Sequence, residues 1–140
     1  MKITIVGSSV FATQMVEYRD KLRALGYEVN LHEHYVAQAN GGMKDLIDRM
    51  QKEHAQVKIE YDYMRYHYNE IVGSDAVLVL NFDKNGIKNY IGGNTLMEIG
   101  FAYVNNKKIF LLSPIPDMNY KDEIVACQPI VINNDLSLIK

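Results

Sequence analysis

Two hydrophobic rhythms alternate along the 140 residues. Ile3-Thr4-Ile5-Val6 is a β-branched run that stops at Gly7-Ser8-Ser9, which predicts a strand giving way to a tight loop. Phe11, Met15, Tyr18, Leu22 and Leu25 follow at spacings of 4, 3, 4 and 3, the stripe of a helix with one buried face. Gly26 stands where such a helix ends, and residues 27–31 predict a second strand. Strand, helix and strand in that order predict a parallel pair, because parallel neighbours need a crossover.

Residues 32–42 read as a loop, with Asn40-Gly41-Gly42 the clearest breaker. Met43, Leu46, Ile47, Met50 and His54 make a second helical stripe. Tyr61, Met64, Tyr68, Ile71 and Val72 make a third, ending at Gly73, and two helices or one bent one fit the pattern equally. Ala76-Val77-Leu78-Val79-Leu80 is a continuous apolar run of the kind found in a strand covered on both faces. A helix over 95–104, a strand over 108–112, a short helix over 121–126 and a last strand over 130–132 follow, with Pro114 and Pro116 interrupting the chain between them. This alternation predicts one domain spanning residues 1–140. Its fold is a three-layer α/β/α sandwich around a doubly wound, mostly parallel sheet of about five strands, flavodoxin- or Rossmann-like. Ligands of such sheets lie outside the carboxyl ends of the strands, where strand order reverses. That singles out Gly7-Ser8-Ser9, residues 81–95 and residues 113–117.

Composition narrows the chemistry. The chain is 48% hydrophobic and 23% charged, which excludes a disordered polymer. Its 15 basic and 17 acidic residues give a net charge of −2, which argues against a nucleic-acid polymer as partner but leaves room for one small phosphate-bearing ligand. The lone Cys127 makes no intramolecular disulfide and reads as a packed residue, which suits a reducing cytoplasm. The N-terminal apolar stretch is too short for a signal peptide, and no run approaches the ~20 residues of a membrane span, so a soluble cytoplasmic protein is expected. No G-x-G-x-x-G follows the first strand and no G-x-x-x-x-G-K-[ST] occurs anywhere. The first strand lacks the acidic end of a receiver domain, and Cys127 stands outside any phosphate-cradling loop. His32-Glu33-His34 offers two imidazoles but no identifiable third ligand, so no metal is expected. Tyr61 and Tyr68 fall on the stripe assigned to the core, whereas Tyr63, Tyr66 and His67 share another face suited to a cleft or an interface.

The chemistry concentrates between the third strand and the helix over 95–104. The connection is polar, long for an α/β loop and carries Gly86, Gly92 and Gly93, where backbone can approach a ligand closely. From Leu96 to Val104 every residue is apolar or glycine except Glu98. Glu98 fits a capping box, Thr95-x-x-Glu98, if Thr95 is the N-cap. It equally fits a carboxylate in the first turn of a buried helix, where the dipole favours its charge, desolvation opposes it, and it can act as nucleophile or base. Ser8 and Ser9, with the amides after Gly7, can receive a phosphate at a helix N-terminus or simply cap the helix.

The run Ser74-Asp75-Ala76-Val77-Leu78-Val79-Leu80, then Thr95-Leu96-Met97-Glu98-Ile99-Gly100-Phe101-Ala102, then Lys107-Lys108-Ile109 resembles the nucleoside 2-deoxyribosyltransferase superfamily, which includes deoxynucleoside 5′-monophosphate N-glycosidases. The first strand and its Gly7 loop fit the same element order. The resemblance implies that Glu98 is the nucleophile attacking C1′ of the sugar. Asp83 would then be the second carboxylate that assists the departing base. It also implies substrate contacts from Gly7, Ser8, Ser9, Asn81, Gly92, Gly93, Asn94 and Thr95, a nucleoside or nucleotide as the small-molecule partner, no metal or organic cofactor, and a homodimer or larger assembly. Two positions depart from the family pattern: Ile5 stands where members commonly carry tyrosine, and Gly92 where they often carry aspartate. Two alternatives remain open on the same fold. One is a nucleotide-binding sensor domain without turnover, the other an NAD-cleaving glycohydrolase that also uses a helical glutamate.

Overall fold

Ile3, Ile5 and Val6 are all buried, so neither face of the first strand meets solvent and β1 (Lys2–Gly7) takes an interior place in the sheet. The computed structural model describes residues 1–140. After β1 come a 3-10 turn (Ser9–Phe11), α1 (Ala12–Ala24), β2 (Glu28–Asn30), α2 (Glu33–Ala39), α3 (Lys44–Lys52), α4 (His54–Glu60) and α5 (Tyr63–Val72). The chain continues through β3 (Ala76–Leu80), α6 (Gly93–Val104), β4 (Lys108–Leu111), α7 (Lys121–Ala126) and β5 (Ile130–Val131). The sheet order is β2-β1-β3-β4-β5 and all four pairings are parallel. The expected three-layer sandwich is the architecture found, with the flavodoxin-like strand order of a doubly wound sheet.

Alternation along the strands divides the core in two. Ile3, Ile5, Leu78, Leu80 and Phe110 face one way, onto Met15, Tyr18 and Leu22 of α1 and onto Ile139 near the C-terminus. Val6, Val77, Val79, Ile109 and Leu111 face the other way, onto Ile71 of α5, Ile99 and Ala102 of α6 and Ile124 of α7. Cys127 packs at the edge of this second core. No helix is long and apolar enough to cross a membrane.

Four local expectations are corrected. Residues 32–42 are not all loop: α2 forms there because the His32 imidazole caps it, its Nδ1 accepting from the His34 backbone N–H at 2.9 Å. The segment between β2 and β3 holds three further helices rather than one or two, with Glu53 breaking α3 from α4 and Asp62 (φ 49°) breaking α4 from α5. The buried face of α5 is Tyr63, His67 and Ile71, while Tyr61 and Tyr68 are exposed, Tyr68 resting edge-on against Phe101. A hydrophobicity count misses this face because His67 is polar yet buried. Leu25 is also exposed, since it lies just past the end of α1.

Candidate functional site

Strand order reverses between β1 and β3, and the carboxyl ends of these neighbours open into a cavity of about 150 Å³. Its walls are the β1–α1 turn, the β3–α6 loop with the start of α6, and side chains from the helices inserted between β2 and β3.

The β1–α1 turn brings Gly7, Ser8 and Ser9 to the cavity. A Cβ on Gly7 would stand 2.9 Å from the Leu80 carbonyl oxygen, so the close pairing of β1 with β3 at this end excludes a side chain. Ser8 precedes the 3-10 turn but its side chain makes no capping bond. Its hydroxyl instead accepts a hydrogen bond from Lys84 Nζ at 3.0 Å.

The long β3–α6 loop is built around a hairpin. Lys84 and Ile87 exchange both backbone hydrogen bonds, at 3.0 and 2.9 Å, across Asn85 (φ 53°) and Gly86 (φ 77°). Two consecutive positive-φ residues of the Asn-Gly type are the two-residue turn that matches strand twist. Gly86 therefore serves the turn and does not border the cavity. Asp83 lies on the outer side, exposed, with Oδ1 accepting from the Asn89 backbone N–H at 3.0 Å. The structure does not bring it to Glu98, and no pair of carboxylates forms. Asn81 is fully buried and occupied: Nδ2 donates to the carbonyls of Ser113 and Pro114 at 3.0 and 3.1 Å, and Oδ1 accepts from Ser113 N–H at 2.9 Å. It fastens the end of β3 to the segment after β4 rather than facing a ligand.

At the start of α6, Gly92 is the N-cap, and Gly93, Asn94 and Thr95 form the first turn and border the cavity. Thr95 is helical rather than the cap, so the Thr95-x-x-Glu98 box does not form, and Glu98 falls in the second turn instead of the first. Glu98 is 2% exposed and lies behind Asn94 and His67, two residues that do border the cavity. Asn94 Nδ2 donates to Glu98 Oε1 at 2.6 Å, and Oε2 has no hydrogen-bond partner. His67 Nδ1 stands 3.9 Å from Oε2, beyond hydrogen-bond reach.

Burial lifts the Glu98 carboxyl to a pKa of about 8, against the opposing pull of the Lys58 charge and the Asn94 bond. Burial pushes His67 down to about 4, helped by His32 and Lys58. At neutral pH the two are thus a carboxylic acid beside a neutral imidazole, not an ion pair. The Tyr35 ring stacks against His67, its phenol held far above its ordinary value by burial and by the nearby Glu98.

The cations of the cavity are Lys58 and Lys84, with His54 between their fields, and no aspartate or glutamate borders it. Lys84 Nζ also sits 4.9 Å from the centre of the Tyr90 ring. The sequence places Tyr63, Tyr66 and His67 on a face suited to a cleft or an interface; Tyr63 and His67 border the cavity, whereas Tyr66 is exposed and does not. Sequence reasoning misses Tyr35, Lys58, Lys84 and Tyr90, which stand in no spacing that marks them, and it reads Met50 and His54 only as part of a helical stripe, whereas both border the cavity. No group of three or more His, Cys, Asp or Glu is placed to hold a metal ion. Compared with family models, with curated proteins and with solved structures, the chain finds no match.

Proposed function

We propose that the chain cleaves or transfers the N-glycosidic bond of a nucleoside or deoxynucleoside, or of its 5′-monophosphate, with Glu98 as nucleophile, as the resemblance to nucleoside 2-deoxyribosyltransferases implies. The observation that supports this most is Glu98 Oε2, a buried carboxyl oxygen without a partner at the strand-order reversal. A buried polar atom left unpaired costs about 1–3 kcal/mol, a cost that a functional role for the carboxyl accounts for.

The chemistry balances without Asp83. The Glu98 carboxyl carries one proton, which passes to His67 once substrate binding draws Nδ1 in from 3.9 Å to hydrogen-bond distance of Oε2, and Oε2 attacks C1′. The C1′–N bond breaks, its electron pair leaves with the base, and His67 returns the proton to the base nitrogen. Water, or a second base in a transfer, then opens the glycosyl ester, and in hydrolysis the carboxyl regains its proton. Asn94, which borders the cavity in front of Glu98, gives up its bond to Oε1 and moves aside to admit the sugar. The active form holds one proton on the Glu98–His67 pair. The expected kcat/KM is therefore flat between about pH 4 and pH 8, falling below as His67 gains a second proton and above as Glu98 loses its own.

Chromatography of free base tests this, using deoxynucleosides, ribonucleosides, their 5′-monophosphates and NAD, with Glu98→Gln alongside. Base release by the wild type that falls by about 10³ or more in Glu98→Gln supports the proposal. Nicotinamide as the sole product moves the activity to NAD cleavage. A second reading, a nucleotide-binding domain without turnover, draws on Glu98 lying behind the wall and on Asp83 pointing away. Folded protein that releases no base from any substrate favours it.

A further inference from the structure

In a chain of net charge −2, the cavity at the strand-order reversal is lined by Lys58, Lys84, His54 and His67 and by no carboxylate. Neither lysine is ion-paired. Lys84 meets only neutral groups, the Ser8 hydroxyl and the Tyr90 ring. Lys58 is half-buried, and its ammonium is destabilised by that burial. His54 is held below its ordinary range by burial and by the charges of both lysines, so its imidazole feels both ammonium groups from one cavity and stays neutral beside them. Positive groups converging without a counter-charge define the sign of what they are shaped to receive.

We propose that the cavity receives a phosphate monoester, its dianion held between Lys84 on the β3–α6 loop and Lys58 on the α3–α4 hairpin, and that this hairpin is a lid the anion draws shut. The proposal names the substrate class of the site described above, and it rests on the function proposed there only for the group esterified to the phosphate. A phosphate monoester carries about two negative charges at neutral pH, which matches two ammonium groups and leaves a terminal oxygen for the Ser8 hydroxyl, whereas a carboxylate brings only one charge. Glu98, carried as a neutral acid behind the wall, does not repel it.

The lid follows from how the hairpin is attached. Leu46 of α3 and Val57 of α4 pack with Tyr63, Met43 and Met50 in a small cluster separate from both cores on the sheet. Arg49 ties α3 to α4 through Glu60 at 2.9 Å and Glu53 at 3.3 Å. At each end stands a non-glycine residue in the left-handed region, Met43 (φ 60°, ψ 34°) and Asp62 (φ 49°, ψ 44°). The hairpin is therefore a unit held together internally and joined to the body at two strained hinges, and it carries Met50, His54 and Lys58 to the cavity as one piece.

The test uses the full chain as Glu98→Gln, so that binding is read without turnover. Titration calorimetry is run with inorganic phosphate, ribose 5-phosphate, deoxynucleoside 5′-monophosphates and the matching nucleosides, and hydrogen exchange follows the amides of residues 44–60. Monophosphates are expected to bind about tenfold or more tighter than nucleosides and to slow exchange in the hairpin. Lys58→Gln and Lys84→Gln each remove most of that preference, Lys58→Arg restores it, and Lys52→Gln, on the same hairpin but away from the cavity, leaves it intact. Equal affinity for nucleosides and monophosphates, or a preference that survives both lysine substitutions, overturns the anion site. Phosphate binding that leaves exchange in 44–60 unchanged overturns the lid. Tight ribose 5-phosphate binding with the same lysine dependence supports the site, since that sugar phosphate is what cleavage of a ribonucleoside 5′-monophosphate leaves behind. Lysine-dependent phosphate binding without base release from the wild type leaves this proposal standing while the glycosidase one fails.

Discussion

A carboxyl group pushed to a pKa of about 8 by burial makes the folded protein bind a proton that the unfolded chain gives up near 4.5. Between those values the native state holds more protons than the unfolded one, so stability falls as pH rises through this window. His67 acts in the opposite direction. Its folded pKa of about 4 lies below its ordinary 6.5, so stability also falls as pH drops through that range. Glu98→Gln removes the first effect while preserving the hydrogen bond from Asn94, because a glutamine oxygen accepts as the carboxyl does. The variant is expected to melt higher than the wild type at pH 8, by the equivalent of a few kcal/mol, with the gap closing toward pH 4.5. A melting difference that stays constant from pH 4.5 to pH 8 would show that Glu98 is not carried as a buried acid. The same substitution abolishes the proposed activity, and a protein that becomes more stable on losing its function is what a strained functional group predicts.

Among the elements, the β3–α6 connection carries the largest local investment, and Asn81 holds its base. Truncating Asn81 to alanine leaves the Ser113 N–H and two carbonyls without their partner in a buried place. Asn81→Ala is expected to lower stability by roughly 2–4 kcal/mol, measured by denaturant unfolding, and Asn81→Asp to do nearly as much by removing both donors. A loss under about 1 kcal/mol would mean that water replaces all three bonds. The elements that sequence made legible are those whose pattern comes from the sheet. β1, β3 and β4 are apolar because both faces are covered, and the short helix expected over 121–126 is α7 at those limits. What stayed hidden depended on polar groups doing apolar or capping work. His32 caps α2 outside the usual capping set, His67 occupies a buried position on α5, and Gly92 rather than Thr95 starts α6. Gly86 was legible as a glycine of consequence but serves a turn, which the Asn85-Gly86 pair signals on its own.

Over the whole molecule, the candidate site draws on residues far apart in sequence: Ser8, Lys58, His67, Lys84 and Glu98. Glu98, the Gly7-Ser8-Ser9 loop, the Gly92–Thr95 start of α6 and the face of Tyr63 and His67 could be found by reading along the chain, the first as a lone charge in an apolar helix and the loop as the end of the first strand. The lysines are ordinary until the fold closes, because nothing in their spacing distinguishes them from the other surface cations. The same geography divides the stability of the molecule. β1, β3 and β4 are buried on both faces between two cores, whereas the α3–α4 hairpin shares a small cluster and two left-handed hinges with the rest. Opening the hairpin exposes Leu46 and Val57 and leaves the sheet pairings untouched. Without any ligand, the amides of residues 44–60 are therefore expected to exchange with solvent by roughly 100-fold or more faster than those of Ala76–Leu80. Their exchange rates should depend only weakly on low urea, the signature of a small sub-global opening rather than of complete unfolding. Equal protection in hairpin and sheet, with equal urea dependence, would make the hairpin part of one cooperative unit. The cavity would then open only by routes that leave Lys58 in place.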